Sequence, residues 1–319
     1  EHNVPTIPIA GTNGKGSTVT YLRCLLEEMG LKVGTFTSPY IESFNERIAI
    51  NGQPISDEQL ITYVEKYQPI IKELDQITEV AGITEFETLT GMALDYFVNE
   101  QVDIAVVEVG LGGLLDSTNV VKPLLTGITT IGKDHTEILG ETIAEIAYQK
   151  AGIIKEKVPV VTGNICADAL AVIEKVAQEK QSPIFRFGKE YQVEYLHPDT
   201  QWGEVFNFYG EMGKLTKIKV PLLGRHQVEN AAVAIQLFDK YCQLQHLPFK
   251  ERDITQGLAK AQWPARMERL SDEPLIVLDG AHNDHAVKRL VENLRNESPQ
   301  HTIHILFSAL ATKDVDEMI

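Results

Sequence analysis

The order of elements in this sequence predicts an α/β fold: a mostly parallel, doubly wound sheet, followed by a second, smaller Rossmann-like α/β unit. Two observations carry that expectation. Short runs such as VDIAVVEVG (102–110), LLTGITTIG (124–132) and VPVVTG (158–163) are apolar and β-branched almost without interruption, as strands covered on both faces are. Segments of helical spacing stand between or after them, so strand and helix alternate through the first half of the chain.

Taken in order, TIPIA (6–10) is a strand closed by Gly11. KGSTVTYLRCLLEEMG (15–30) predicts a helix with Val19, Leu22, Leu25, Leu26 and Met29 on one face and Gly30 as its stop. KVGTFTSP is a strand ended by Pro39, and RIAING (47–52) carries an Asn-Gly turn signal. Ser56 and Gln59 form a capping-box pattern that opens a helix to about Leu74, and Thr84 with Glu87 forms a second. From about 184 to 220 short strands with Gly and Pro take over, and helices follow at 226–243 and 251–261. WPAR (263–266) then punctuates the chain before PLIVLDGAHN opens a strand-turn-helix unit, and HTIHILFSAL (301–310) reads as a further strand. A domain boundary is placed near Trp263, giving units 1–262 and 263–319. The second is too small to close a core, so both it and the abrupt start of the first suggest a sequence cut from a longer one.

A chain of 319 residues with 43% hydrophobic content has material for two domains and a substantial core. Its net charge of −16 excludes a surface built to attract nucleic acid or anionic lipid, so an anionic ligand would need a local positive site. Cys24, Cys166 and Cys242 lack CxxC or zinc spacing and read as reduced core thiols of a cytoplasmic protein. No apolar run reaches the roughly 20 residues of a membrane span, and no signal peptide opens the sequence.

The chemistry starts at GTNGKGS (11–17). This is close to the phosphate-binding spacing GxxxxGK[ST], except that Gly16 intervenes between Lys15 and Ser17. A loop between strand and helix aims backbone N–H groups at an anion, glycines permit close approach, and the lysine supplies charge. The same residues also suit an ordinary turn. Glu108 ends the apolar run IAVVE, at the edge where parallel sheets open toward ligands; a carboxylate there needs a partner, either a structural cation or a magnesium ion beside a phosphate. His135 in IGKDHTEILG follows the next strand at the equivalent edge and is a structural histidine or a ligand. Lys150, read from its helical context alone, is a surface lysine.

AGTNGKGS, FTSPYIESFNERIAING, TEFE, VVEVGLGG, DSTN, IGKDHTEILG, QKAGIIK, WPARME and DGAHN occur in an order that closely resembles folylpolyglutamate synthases of the Mur ligase superfamily, from about Ile7 to the end of the chain. The resemblance implies an ATP-dependent, amide-forming ligase with an ATP-binding domain and a C-terminal glutamate-ligase domain. It implies that Asn13, Gly14, Lys15, Gly16 and Ser17 hold ATP phosphates, with Asn230, Arg266, Asp279 and His282 contacting the nucleotide. Ser38 and Glu108 would ligate one Mg²⁺ and His135 a second, with Lys150 carbamylated so that it becomes an anionic metal ligand. Lys15, Lys150 and His282 are thereby the catalytic set, and Thr84, Glu85, Phe86, Glu87, Asp116 and Ser117 the folate contacts. Reduced folate, L-glutamate and ATP are the implied substrates, and the family precedent is monomeric. One departure stands out: Leu114 in GGLLD occupies a position where many relatives carry arginine, which bears on whether folate or dihydropteroate is the acceptor. Two other readings stay open at this stage, a ligase acting on a cell-wall precursor and a nucleotide-binding homologue without catalysis.

Overall fold

Strands β1 (Thr6–Ala10), β2 (Val33–Phe36) and β5 (Ile104–Glu108) are buried at every position, and so are the shorter β6 (Thr126–Ile128) and β7 (Val160–Thr162). In the computed structural model, which describes residues 4–77, 82–281, 284–297 and 302–308, these strands form the middle of an eight-stranded sheet. Its order is β4-β3-β2-β5-β1-β6-β7-β8, with β8 at Ile184–Arg186. The pairs from β2 through β8 are parallel; only the pairs made by β3 (Ile48–Ile50), with β2 and with β4 (Gln53–Pro54) at the edge, are antiparallel. The hairpin joining those two turns on Asn51 and Gly52, both at positive φ, as the Asn-Gly pair predicts.

Alternation along each strand divides the core. On β5, Ile104 and Val106 point into a cluster with helix α1 (Lys15–Glu28) and helix α7 (Arg225–Gln245). Ala105 and Val107 point the other way, onto α3 (Glu85–Asn99). A third cluster packs α5 (Ile143–Ala151) and α6 (Ala167–Glu179) against β6 and β7. The sheet is therefore covered on both faces.

The predicted α1 is present, but its burial is not confined to one stripe: Thr18, Thr20, Tyr21 and Cys24 are buried with the expected Val19, Leu22, Leu25 and Leu26. Helix α7 lies behind it and is itself almost wholly buried. Its outer side is covered by a separate three-stranded antiparallel sheet, β9 (Gln192–Pro198), β10 (Glu204–Gly210) and β11 (Gly213–Val220), through Phe206, Phe208, Leu215 and Ile218. Both predicted helix starts are present, but only one as a full capping box. Thr84 and Glu87 cap α3 reciprocally, whereas Ser56 accepts from the Gln59 N–H at the start of α2 (Asp57–Leu74) and the Gln59 side chain donates to Glu100 instead.

Two expectations need correction, on Cys166 and on residues 302–308, and a third is met with an added strand. Cys24 and Cys242 are buried, but Cys166 is exposed, because it stands at the start of α6 rather than on its inner face. PLIVLDGAHN does give a strand, β13 (Leu275–Leu278), and helix α9 (Asp284–Glu297) after it. It is preceded, however, by β12 (Glu268–Asp272), which pairs with it in an antiparallel hairpin, so the described residues of this unit show no parallel pairing. Residues 302–308 form no strand: apolar character alone does not make one unless a neighbour takes up its backbone groups, and Ile305 and Leu306 stand exposed.

Phe97 shows how tightly the layers meet. It is fully buried, and a Cβ built on Gly34 of β2 would lie 2.7 Å from its Cδ1. Phe97→Ala should therefore lower stability by about 3–5 kcal/mol, read as a shift of the urea midpoint at unchanged slope. A loss below about 1 kcal/mol would contradict this packing account.

Candidate nucleotide and acid-activation site

Strand β1 is the switch point of the sheet: α1 carries the chain from it past β5 to β2, while the connection from β5 crosses to β6 on its other side. The segments leaving the C-terminal ends of β1, β2, β5 and β6 consequently converge. They line one cleft with Asn13, Gly14, Lys15, Gly16, Ser17, Ser38, Glu108, Gly110 and His135. The opposite wall brings Asn230 from α7 and Arg266 and Asp279 from the segments around the β12–β13 hairpin. The two walls are far apart in the sequence, yet the fold gathers nearly the whole predicted nucleotide set. His282 lies outside the described residues.

The phosphate loop has the features an anion needs. Gly14 caps α1 at φ 86° with no side-chain hydrogen bond, and the first turn of the helix has no acidic residue. Lys15 Nζ donates to the carbonyls of Gly11 (3.1 Å) and Thr12 (3.3 Å), which folds its charge back over the loop. The two glycines flanking Lys15 are seats for groups from elsewhere. A Cβ on Gly14 would fall 2.2 Å from Asn230 Oδ1, and one on Gly16 would fall 2.5 Å from Trp263 Cζ2. The glycine that breaks the usual phosphate-loop spacing is thus where the Trp263 ring edge packs.

Glu108 is 4% exposed, and burial pushes its carboxyl above the usual carboxylate range. Lys15, the Ser38 backbone N–H (3.2 Å from Oε2) and Arg266 pull the other way. His135 opens the short helix α4 (Thr136–Leu139) from a left-handed backbone conformation, φ 50°. Its ring nitrogens lie 3.9 Å from Asp134 and 3.8 Å from Glu137. Among the described residues no three His, Cys, Asp or Glu side chains converge on a point, so a cation here would draw on few protein ligands.

Lys150 is the largest departure from a reading by helical position. It is 4% exposed on α5 and does not line the cleft. Burial, reinforced by Lys15 and opposed by Asp134, brings its amine down to about 7. The sequence offers no local signal for this, because the charges acting on the amine, Lys15 and Asp134, come from the segments after β1 and β6.

The residues expected to meet folate cluster beside the cleft. A Cβ on Gly110 would lie 2.5 Å from Phe86 Cζ and 3.1 Å from Asp116 Oδ2, so these two groups border the same glycine that lines the nucleotide cleft. Asp116 accepts from the Leu111 N–H at 2.7 Å and from the Thr118 N–H at 3.0 Å. Ser117 Oγ lies 3.4 Å from Thr90 Oγ1. Thr84 and Glu87 bind each other: the Glu87 carboxylate accepts from the Thr84 N–H and hydroxyl. Glu85 is paired with Arg47 at 3.2 Å. Arg47 was not anticipated as a site residue. Its guanidinium stacks over the rings of Tyr40 (5.5 Å) and Phe44 (5.3 Å), which the sequence shows only as one arginine in an aromatic-containing loop. Thr12, Asp134, His226, Gln227 and Trp263 also line the cleft without having been singled out. His226 and Asn230 are four apart on α7, a spacing that could have flagged the first from the second.

Residues 9–238 match the family model for the Mur ligase middle domain. The chain is also 44% identical over 320 aligned residues to the dihydrofolate synthase/folylpolyglutamate synthase of Bacillus subtilis, covering 100% of this chain and 74% of that protein. The chain belongs to the folylpolyglutamate synthase family of Mur ligases. Among solved structures, an FPGS–AMPPCP–folate complex superposes with a TM-score of 0.87 at 42% identity, covering 92% of this chain and 71% of the other. A Mycobacterium tuberculosis folylpolyglutamate synthase complexed with ADP gives 0.90 at 32% identity, covering 99% and 71%. The mostly parallel sheet and the ligase family expected from the motifs both stand.

Because the Glu108 carboxyl is raised in the folded state, the folded protein keeps a proton that the unfolded chain has released. Its contribution to stability is therefore lost as pH rises above the ordinary carboxylate value. Glu108→Gln should raise the melting temperature at neutral pH in the absence of nucleotide and metal, and the gain should shrink toward about pH 4. A variant less stable than the parent at neutral pH would show that the carboxylate is already neutralised by Lys15 and Arg266.

Proposed function

We propose that this chain catalyses the ATP-dependent addition of L-glutamate to the γ-carboxylate of a reduced, mono- or polyglutamylated folate, releasing ADP and phosphate. The single observation behind this reading is the junction at Gly110, where the phosphate-loop cleft and the Phe86–Asp116 corner share one wall. A carboxylate acceptor held on one side thereby faces a γ-phosphate held on the other. The family relatives bound to AMPPCP and folate support the same pairing.

In the first step a folate γ-carboxylate oxygen attacks the γ-phosphorus, the bond to the bridging oxygen breaks, and ADP leaves an acyl phosphate. In the second, the glutamate amine attacks the acyl carbon through a tetrahedral species, and phosphate departs with the electron pair of the C–O bond. Both partners of the first step are anions, so the site's task is charge compensation and alignment. Lys15 and the N–H groups at the start of α1 would hold the β- and γ-phosphates. Asn13, Gly16 and Ser17 would complete the cradle, and Asn230, Arg266 and Asp279 would hold the nucleoside side, joined by His282. Asp279 is suited to this because its carboxylate accepts from Met267 N–H (2.9 Å) and Ala281 N–H (2.8 Å), fixing both flanking segments.

The donors present fit magnesium. Ser38 and Glu108 offer hard oxygens next to the phosphate loop, and the buried Glu108 carboxylate needs a cation; a site with few protein ligands is how Mg²⁺ beside phosphates is usually held. When bound, Mg²⁺ would withdraw charge from the transferring phosphoryl group. His135 would serve a second ion. The buried Lys150 amine, brought down to about 7, is largely able to be neutral near physiological pH; neutral, it can add to CO₂ and lose a proton to give a carbamate. That anion would relieve its repulsion with Lys15 and supply a further oxygen ligand.

On the folate side, Phe86 would stack on the pterin, with Asp116, Ser117 and Glu85 as polar contacts; Thr84 and Glu87 would frame the start of α3. Leu114 brings no charge to its loop, whereas Arg47 places a cation beside Glu85. Dihydropteroate is a second acceptor to test, since a Bacillus subtilis relative is named for both activities. We also propose that the chain divides near Trp263, with the later unit closing over the nucleotide and excluding water from the acyl phosphate. The free thiols accord with a cytoplasmic setting.

The deciding measurement is mass analysis of products with ATP, glutamate and, separately, a reduced folate and dihydropteroate. A mass gain of one glutamyl residue that depends on ATP supports the proposal; none with either acceptor overturns it. Lys15→Ala should reduce turnover by at least about a hundredfold with the fold retained by circular dichroism; near-parental turnover would remove Lys15 from its role. Lys150→Ala should lose most activity and regain part of it with added acetate or formate. Failure of every short carboxylate to restore turnover would count against the carbamate.

A further inference from the structure

The phosphate loop is tied to the segment after β6 by three threonine hydroxyls. Thr130 Oγ1 accepts from the Asn13 N–H and donates to the Asn13 carbonyl, both at 3.0 Å. Thr129 Oγ1 donates to the same carbonyl at 2.7 Å. Thr12 Oγ1 forms a reciprocal pair with Gly132, accepting from its N–H at 3.0 Å and lying 3.1 Å from its carbonyl oxygen. A backbone bond from the Thr12 N–H to the Thr130 carbonyl, 2.8 Å, completes the seam. Thr129 is 1% and Thr130 9% exposed, so water does not compete for these bonds. Packing is equally close: a Cβ on Gly11 would fall 1.9 Å from Thr129 Oγ1.

Neither threonine after β6 lines the cleft, although the loop they hold does. We infer that Thr129 and Thr130 are positioning residues, a hydroxyl clasp that holds residues 11–14 in the shape that receives ATP phosphates before any nucleotide arrives. A flexible glycine-rich loop would otherwise have to be ordered at the moment of binding, and the loss would appear as weaker nucleotide affinity. The clasp also fixes the loop against the chain that runs on to Asp134 and His135, so the phosphate cradle and that ligand loop hold one spacing. This inference rests on the nucleotide-binding half of the function proposed above.

Thr130→Val keeps shape and removes two hydrogen bonds. With the full chain, titration calorimetry of AMPPCP with Mg²⁺ should show binding weakened about tenfold, with KM for ATP raised by a similar factor and KM for folate nearly unchanged. Thr130→Ser, which restores the hydroxyl, should return both values to within about twofold of the parent. A merely structural threonine would lower the melting temperature and leave the affinity of the folded protein alone, and that result overturns the clasp. Should Thr130→Val fail to fold, Thr129→Val carries the same expectation through its single bond to Asn13, with parental affinity again overturning it. A parent chain that binds no nucleotide defeats the functional reading itself, whereas a parent that binds while both valine variants match it defeats only the clasp.

Discussion

Unlike charges have to be held close together at the C-terminal edge of this sheet, inside a protein whose net charge is −16. Glu108 is buried at the end of β5; Lys15, Lys150, Arg266 and Asp134 all lie within electrostatic reach of one another's neighbours. Left without ligands, the arrangement is unbalanced: the Glu108 carboxyl is driven toward its protonated form and the Lys150 amine toward its neutral form. Each group gains when a counter-charge arrives, a cation for the carboxylate and an anionic form for the amine. The positive potential for a polyphosphate comes less from side chains than from backbone N–H groups at the start of α1, which an acidic protein can provide without changing its overall charge.

Topology makes that concentration of charge possible. Four parallel strands end at one edge, and each delivers a different group: the phosphate loop from β1, Ser38 from β2, Glu108 from β5 and the threonine–histidine segment from β6. The parallel register pairs Ile9 with Glu108 on one side and with Gly127 on the other, so these ends are level with one another. A slip of one residue in β5 would turn Glu108 to the opposite face and put Val107 in its place. The continuous apolar pairing of the strands is therefore what fixes the distance between phosphate loop and carboxylate.

Much of this was legible in the sequence because the signals are local. The β-branched runs around Val106 and Val161, the Asn51–Gly52 turn and the helix caps at Ser56 and Thr84 each require only neighbours in the chain, and each is found where its pattern places it. What sequence periodicity could not give is burial imposed from outside. Lys150 reads as a solvated helical lysine because the groups acting on its amine, Lys15 and Asp134, come from distant segments, and α1 reads as amphipathic because α7, which packs on it, begins at Arg225 far along the chain. The apolar run at 302–308 fails in the opposite sense: its composition suits a strand, but a strand is a property of two segments. For the site, resemblance supplied roles that spacing could not, and it passed over Arg47, whose contacts with Tyr40, Phe44 and Glu85 are set by a loop conformation.

The departure at Gly16 illustrates how a motif variation acquires a physical meaning only in three dimensions. By spacing, an inserted glycine loosens the phosphate loop, since a residue without Cβ has more conformations to lose. In the fold, the space it leaves is filled by the edge of Trp263, and the space above Gly14 is filled by Asn230. The loop is thus gripped from outside by α7 and by the segment leading to the β12–β13 hairpin, while threonines 129 and 130 grip it from the sheet side. Any larger residue at position 14 or 16 would have to displace a buried helix or the segment that carries Arg266. Glycine suits these positions because other parts of the chain occupy the volume a side chain would need, and the same contacts make the cradle sensitive to where the 263–281 segment stands.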